Sequence, residues 1–186
     1  MSYSVFRSLT RRVVLPVLTL TFLMVATGCN SSSEEGPTGP NAPTEPLSYE
    51  TVEQSHVEPS ALSEEAKGRF EDGMERVIRD QSAFQSFWQD LHGENAEAPN
   101  IDFSQKLVVV AMLGERPNDG YEAEIASVTR DTNPTLMSFF VTEIEPGPNC
   151  SVSGSSVIPY HLIEMDRFST DQVNFADNGT ETKDCE

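Results

Sequence analysis

Leu107-Val108-Val109-Val110-Ala111-Met112-Leu113 is a run of seven residues without a polar side chain, bounded by Lys106 and Gly114. It is too short for a typical buried helix, and its valines favour extended backbone. A short continuous apolar run of this kind is expected of a strand covered on both faces. The segments around it repeat the β signal with one face exposed: Tyr121, Ala123 and Ile125 alternate with Glu122 and Glu124. Met137 to Ile144 and Ile158 to Met165 supply two more strands, and Tyr49 to Val57, Met74 to Ile78 and Val173 to Phe175 are shorter candidates. Turn chemistry separates them at Pro117-Asn118-Asp119-Gly120, Asn133-Pro134, Pro146-Gly147-Pro148 and Asn178-Gly179.

One segment has helical period. After Asp80, an N-cap residue type, come Phe84, Phe87, Trp88 and Leu91 at the i, i+3, i+4, i+7 spacing of a single apolar face, and Gly93 is placed to end it. That aromatic stripe reads as core packing. The expectation is an α+β domain over residues 47–186, predominantly an antiparallel β sheet or sandwich with one amphipathic helix packed on it.

The residues ahead of the domain are of another kind. Arg7, Arg11 and Arg12 precede the uncharged run Val13 to Ala26, which ends on Ala26-Thr27-Gly28-Cys29. The run is short of the roughly 20 residues a helix needs to cross a bilayer. Small residues before a cysteine resemble the lipobox of bacterial lipoproteins, with Ala26 where leucine is usual. The resemblance implies removal of residues 1–28 and acylation of Cys29, as by palmitate, as the mature N-terminus; the same segment also fits a simple secretory signal cut nearby. The place of work is then the bacterial cell envelope, with membrane lipid as a partner through Cys29. Asn30 follows the cysteine, where an aspartate would favour inner-membrane retention, so the outer membrane is preferred. Residues 29–46 form a tether rich in Ser, Gly, Pro and Glu, with no hydrophobic period and too little apolar surface to offset ordering entropy. Pro37, Pro40, Pro43 and Pro46 recur every third residue, the turn of a polyproline II helix, and a stiff segment at about 3.1 Å per residue reaches roughly 40 to 50 Å.

The 186-residue chain carries 30 acidic and 12 basic side chains, a net charge of −18. Loss of residues 1–28 removes three arginines and no acid, which takes the net charge to −21. Nucleic acid is excluded as a partner on electrostatic grounds. The acids are spread along the chain without the spacing of a calcium loop, so neither a metal nor any other cofactor is expected.

With Cys29 assigned to lipid, Cys150 and Cys185 remain as an even pair in an exported domain, and a disulfide between them is the economical reading. Loop entropy would make it worth about 3 kcal/mol. His56, His92 and His161 are isolated from one another in sequence, and no HExxH, GxSxG, P-loop or GxGxxG occurs. The reading is therefore a non-enzyme with no catalytic residues.

Leu107 to Tyr160 resembles the C-terminal domain of the protease complex subunit PrcB family. The carrying residues are Val108-Val109-Val110-Ala111-Met112-Leu113-Gly114, Pro117-Asn118-Asp119-Gly120-Tyr121, Pro146-Gly147-Pro148-Asn149-Cys150 and Ile158-Pro159-Tyr160-His161. Phe84, Trp88 and Ile101-Asp102-Phe103 look like the family's upstream region. The family's loop commonly reads Pro-Thr-Gly-Gly-Tyr, from which Asn118 and Asp119 depart. The resemblance implies a non-catalytic lipoprotein that associates with an envelope protease or other surface protein and stabilises it. The residues read as protein-binding are Arg116, Pro117, Asn118, Asp119, Gly120, Tyr121, Pro159 and Tyr160. Asp119-Gly120 is read as a tight turn with glycine at positive φ, and Tyr121 as either a contact residue or the packed end of a hairpin. Pro117, Gly120 and Tyr121 also resemble a loop of chagasin-type inhibitors of cysteine proteases, whose Arg-Pro-Trp-type second loop has no counterpart here. Protease inhibition is the alternative, and an envelope structural protein without a protease partner is the third reading.

Overall fold

The computed structural model describes residues 44–132, 135–170 and 172–185; the signal segment, Cys29 and most of the expected tether lie outside them. Eight strands and two helices follow in the order β1 (Thr44–Pro46), β2 (Glu50–Val57), α1 (Glu64–Phe70), β3 (Met74–Ile78), α2 (Gln81–His92), β4 (Lys106–Met112), β5 (Glu122–Thr132), β6 (Thr135–Pro146), β7 (Ile158–Asp166) and β8 (Val173–Lys183). The strands form two four-stranded sheets, ordered β1-β5-β6-β8 and β2-β7-β4-β3. Thr44 to Pro46, inside the segment read as tether, form a strand by pairing with Asp131 to Thr129 of β5.

β4 explains the three layers. Leu107 to Met112 are all buried, at 4 % exposure or less. Val108, Val110 and Met112 pack with Phe84, Phe87 and Leu91 of α2 and Ala66 and Phe70 of α1. Leu107, Val109 and Ala111 pack with Ile125, Val128, Met137 and Phe139 of the opposing sheet. Successive side chains of a strand point to opposite faces, so one apolar strand serves two cores. Full burial of such side chains contributes about 1.5–3 kcal/mol each.

α2 begins where expected, with the Asp80 side chain accepting from the Ala83 N–H, and stops at Gly93 with φ +97°. The expectation of a single helix is corrected by α1. Its Ser63 cap accepts from the Ala66 N–H, but its seven residues bury only Ala66 and Phe70, too few for a visible period. The chain then turns at Gly73, which abuts the exit of β4 at Gly114. Both glycines have positive φ, and a Cβ on Gly114 would lie 2.7 Å from the Glu71 carbonyl oxygen and 2.8 Å from the Gly73 nitrogen. No other residue fits that crossing without moving backbone.

Two further departures have topological causes. β8 runs parallel to β6 in an otherwise antiparallel architecture, because β7 lies in the opposing sheet and returns the chain to the end where β6 began. Arg79 and Arg167 brace this return: Arg79 donates to the Phe168 and Thr170 carbonyls, and Arg167 donates to those of Phe103 and Arg79. Asn178-Gly179 is no turn. It lies inside β8 opposite a register shift between Val141 and Glu143, with Gly179 at φ +91° and the Asn178 amide donating to Thr142 Oγ1. That is the geometry of a β-bulge.

The two sheets are joined by a polar seam along β5. β1 pairs with β5 only at Thr129 to Asp131, which leaves the edge from Glu122 to Ser127 without a strand among the described residues. Side chains of the second sheet and the segment before it cap that edge: Tyr49 Oη donates to the Ile125 carbonyl at 2.6 Å, and Gln54 Nε2 donates to the Ala123 carbonyl at 2.8 Å. The Ile125 N–H donates to His161 Nδ1 at 2.9 Å. Backbone groups that would otherwise be buried without partners are thereby satisfied.

Candidate protein-contact surface

β4, β5, β6 and β7 bring two connections to one end of the domain. Leaving β4, the chain passes Gly114 and forms a two-way bridge at Arg116, whose N–H donates to the Val157 carbonyl at 2.7 Å and whose carbonyl accepts from the Val157 N–H at 3.0 Å. The β4–β5 and β6–β7 connections are thus hydrogen-bonded to each other before either enters its next strand. The Arg116 guanidinium makes a bidentate ion pair with Glu143 of β6, both contacts 2.8 Å, with each side chain about a quarter exposed. That carboxylate raises the Arg116 pKa above its ordinary value. A two-point planar pair fixes direction as well as charge.

Beyond Arg116, Asn118 closes a side-chain turn by accepting from the Gly120 N–H at 3.0 Å. Asp119 reaches across to the other connection and accepts from the Ser153 N–H at 2.7 Å. The hydrogen bonds from Ser153 hold the Asp119 carboxyl below the usual carboxylate range, and the nearby His56 acts in the same direction. Gly120 does not have the positive φ expected of it; the described glycines that do are Gly73, Gly93, Gly114 and Gly179. Close approach is what requires a glycine here. A Cβ would lie 2.5 Å from Val152 Cγ1 and 2.7 Å from Pro146 Cβ.

The second connection is fastened at its base. Cys150 and Cys185 are joined by a disulfide, and the Gly147 N–H donates to the Lys183 carbonyl at 2.9 Å, so the loop is held to the end of β8. A cavity of about 180 Å³ opens between the two connections, lined by Gly120, Pro146, Val152 and the disulfide together with Asp119, Glu122 and Lys183. Lys183 is paired with Glu122. Val152 is 39 % exposed, one of two large hydrophobic side chains so exposed among the described residues.

Of the residues read as protein-binding, Arg116 to Gly120 belong to this surface, with Pro117 and Asp119 exposed, and Tyr121 is half-buried at its edge. Pro159 and Tyr160 do not belong to it. Both are buried in β7, where Pro159 faces His56 of β2 and Tyr160 packs in the core beneath the helices. Tyr160 Oη donates to Glu53 Oε1 at 2.8 Å, and burial, reinforced by that carboxylate, raises the phenol pKa. Glu53 also accepts from His92 Nε2 at 3.0 Å, which ties β2 to α2. A residue 2 % exposed offers a partner nothing to touch. Val152, Ser153 and Val157 were missed in the sequence because residues 151–156 show no period; an isolated valine among serines was the only sign.

Among the described residues, no three His, Cys, Asp or Glu side chains converge as metal ligands. The arrangement presents an acidic, partly apolar surface built from two connections hydrogen-bonded to each other. Residues 107–166 match the family model described as PrcB C-terminal. The match spans β4 to β7 and includes both connections of this surface. No curated protein and no solved structure matches the chain.

Proposed function

We propose, for a chain that carries a PrcB C-terminal domain across residues 107–166, the role of a non-catalytic accessory protein of the bacterial envelope. It is lipid-anchored through Cys29 and associates with a protease complex, which it stabilises. The observation that carries this reading is the coincidence of the family match with the part of the fold that builds the two-loop surface. The interlocked connections also support it, since pre-ordered loops lose little freedom on binding.

Two of the three histidines are committed to hydrogen bonds within the fold. His161 is 3 % exposed with both ring nitrogens engaged, and His92 is bonded to Glu53. The fold adds no observation that favours inhibition of a protease or a purely structural role.

Affinity recovery of the full chain from its own envelope, with crosslinking, tests the reading. A protease recovered in active form is expected. Recovery of a protease with its active site blocked would point to inhibition, and recovery of wall or porin components alone would point to a structural role. Either outcome overturns the proposal. The anchor is tested separately by intact mass: Cys29→Ser should leave an unprocessed precursor, and a mature mass shared with the parent would refute lipidation.

A further inference from the structure

The cavity between the two connections has a definite chemical character. Val152, Pro146 and the disulfide give its lining an apolar part, and Asp119, Glu122, Lys183 and Ser151 give it a polar one. The cations at this end are already committed, Lys183 to Glu122 and Arg116 to Glu143. Asp119 differs from Glu122. Its Oδ1 takes the Ser153 N–H, it has no ion pair among the described residues, with His56 its nearby basic group, and it is exposed. A cavity that sets apolar Val152 and Pro146 beside an exposed carboxylate is complementary to a side chain with an aliphatic stem and a cationic head.

We propose that this cavity receives a lysine or arginine side chain of the partner protein, its stem against Val152 and Pro146 and its charge against Asp119. The inference rests on the reading of this domain as protein-associating and names the chemistry of the partner at that surface. A second copy of the chain is the poorer occupant: the net charge of −18 on each chain would set two acidic rims against each other.

The test is an NMR titration of the full chain in non-ionic detergent with N-acetyl-arginine methylamide, with N-acetyl-glutamate methylamide as the control. The arginine probe should shift the Gly120 and Ser153 amides with weak, salt-sensitive affinity, and the glutamate probe should not. Asp119→Asn keeps the oxygen that accepts from Ser153 and removes the charge. It should weaken the arginine probe at least tenfold while the rest of the spectrum is retained. Val152→Ser is a second variant, expected to weaken the same probe through loss of the apolar wall. Absence of shifts at Gly120 and Ser153, or equal affinity in Asp119→Asn, overturns the proposal. Failure of the association reading is seen separately, as a wild-type chain that recovers no protein from the native envelope.

Discussion

His161 Nδ1 accepts a hydrogen bond from the backbone N–H of Ile125 at 2.9 Å, across the space between the two sheets. Because that nitrogen is an acceptor, the ring proton sits on Nε2, which is 2.9 Å from Thr51 Oγ1 and donates to it. Protonation of Nδ1 would set two donors face to face. Burial alone depresses the His161 pKa from 6.5 to about 4. Below pH 6.5 the unfolded chain binds a proton there that the folded chain refuses. Stability is therefore full above pH 6.5 and falls as pH drops towards 4, by up to about 3 kcal/mol from this group. Urea midpoints at pH 7 and pH 5 should differ more in the parent than in His161→Gln. An equal difference in the two proteins would remove His161 as the cause.

Two glycines should respond to alanine with opposite sign. Gly68 lies on the exposed face of α1 with nothing within 4 Å of a Cβ, so Gly68→Ala should stabilise by about 0.5–1 kcal/mol. Gly114→Ala combines φ +80° with backbone atoms at 2.7 to 2.9 Å and should destabilise by about 2 kcal/mol or more. Denaturant midpoints of the two variants decide the matter, and a shift of the same sign in both would contradict the account of the β4 exit.

Tyr160 separates a core role from a contact role. Tyr160→Ala should cost about 3–5 kcal/mol through the cavity it leaves among Phe84, Phe87 and Leu162. Tyr160→Phe removes only the bond to Glu53 and should cost about 1 kcal/mol. Partner affinity should be unchanged in Tyr160→Phe; a loss of affinity at unchanged stability would return this residue to the contact surface.

The Cys150–Cys185 bond closes a loop of 35 residues, and in the chain-entropy model its removal costs about 3–4 kcal/mol. Cys150→Ala/Cys185→Ala should also expose the Ser153 and Gly120 amides to hydrogen exchange while the β4 amides stay protected. Retained protection at Ser153 would mean that the bridge to Arg116, and not the disulfide, holds the second connection.

Much of the fold was legible because its strands carry their own periodicity. Leu107 to Met112 announced a strand buried on both faces, and Asp80, Phe84, Phe87, Leu91 and Gly93 announced α2 with both its ends. What could not be read depended on contacts distant in sequence. α1 needs Phe87 of α2 to receive Phe70, and β8 beyond Phe175 is an exposed polar strand whose pairing with β6 no local pattern encodes. The seam of Tyr49, Gln54 and His161 is invisible without knowing that β5 has a bare edge. The candidate surface was half legible: Arg116 to Gly120 stood out as turn chemistry, whereas Ser153 and Val152 acquire meaning only through Asp119 and Gly120. Pro159 and Tyr160 were read as protein-binding, but Ile158 to Ile163 of β7 are all buried, which places both inside.

Association with a protease through the two-loop surface is the role proposed for this domain. The most direct measurement is the dissociation constant of the full chain for the protease recovered from its envelope, with Val152→Asp compared to the parent at matched thermal stability. At least a tenfold loss of affinity is expected in Val152→Asp, the size seen when an important interface contact is removed. Unchanged affinity in that variant, or a parent chain that binds no protease, would contradict it.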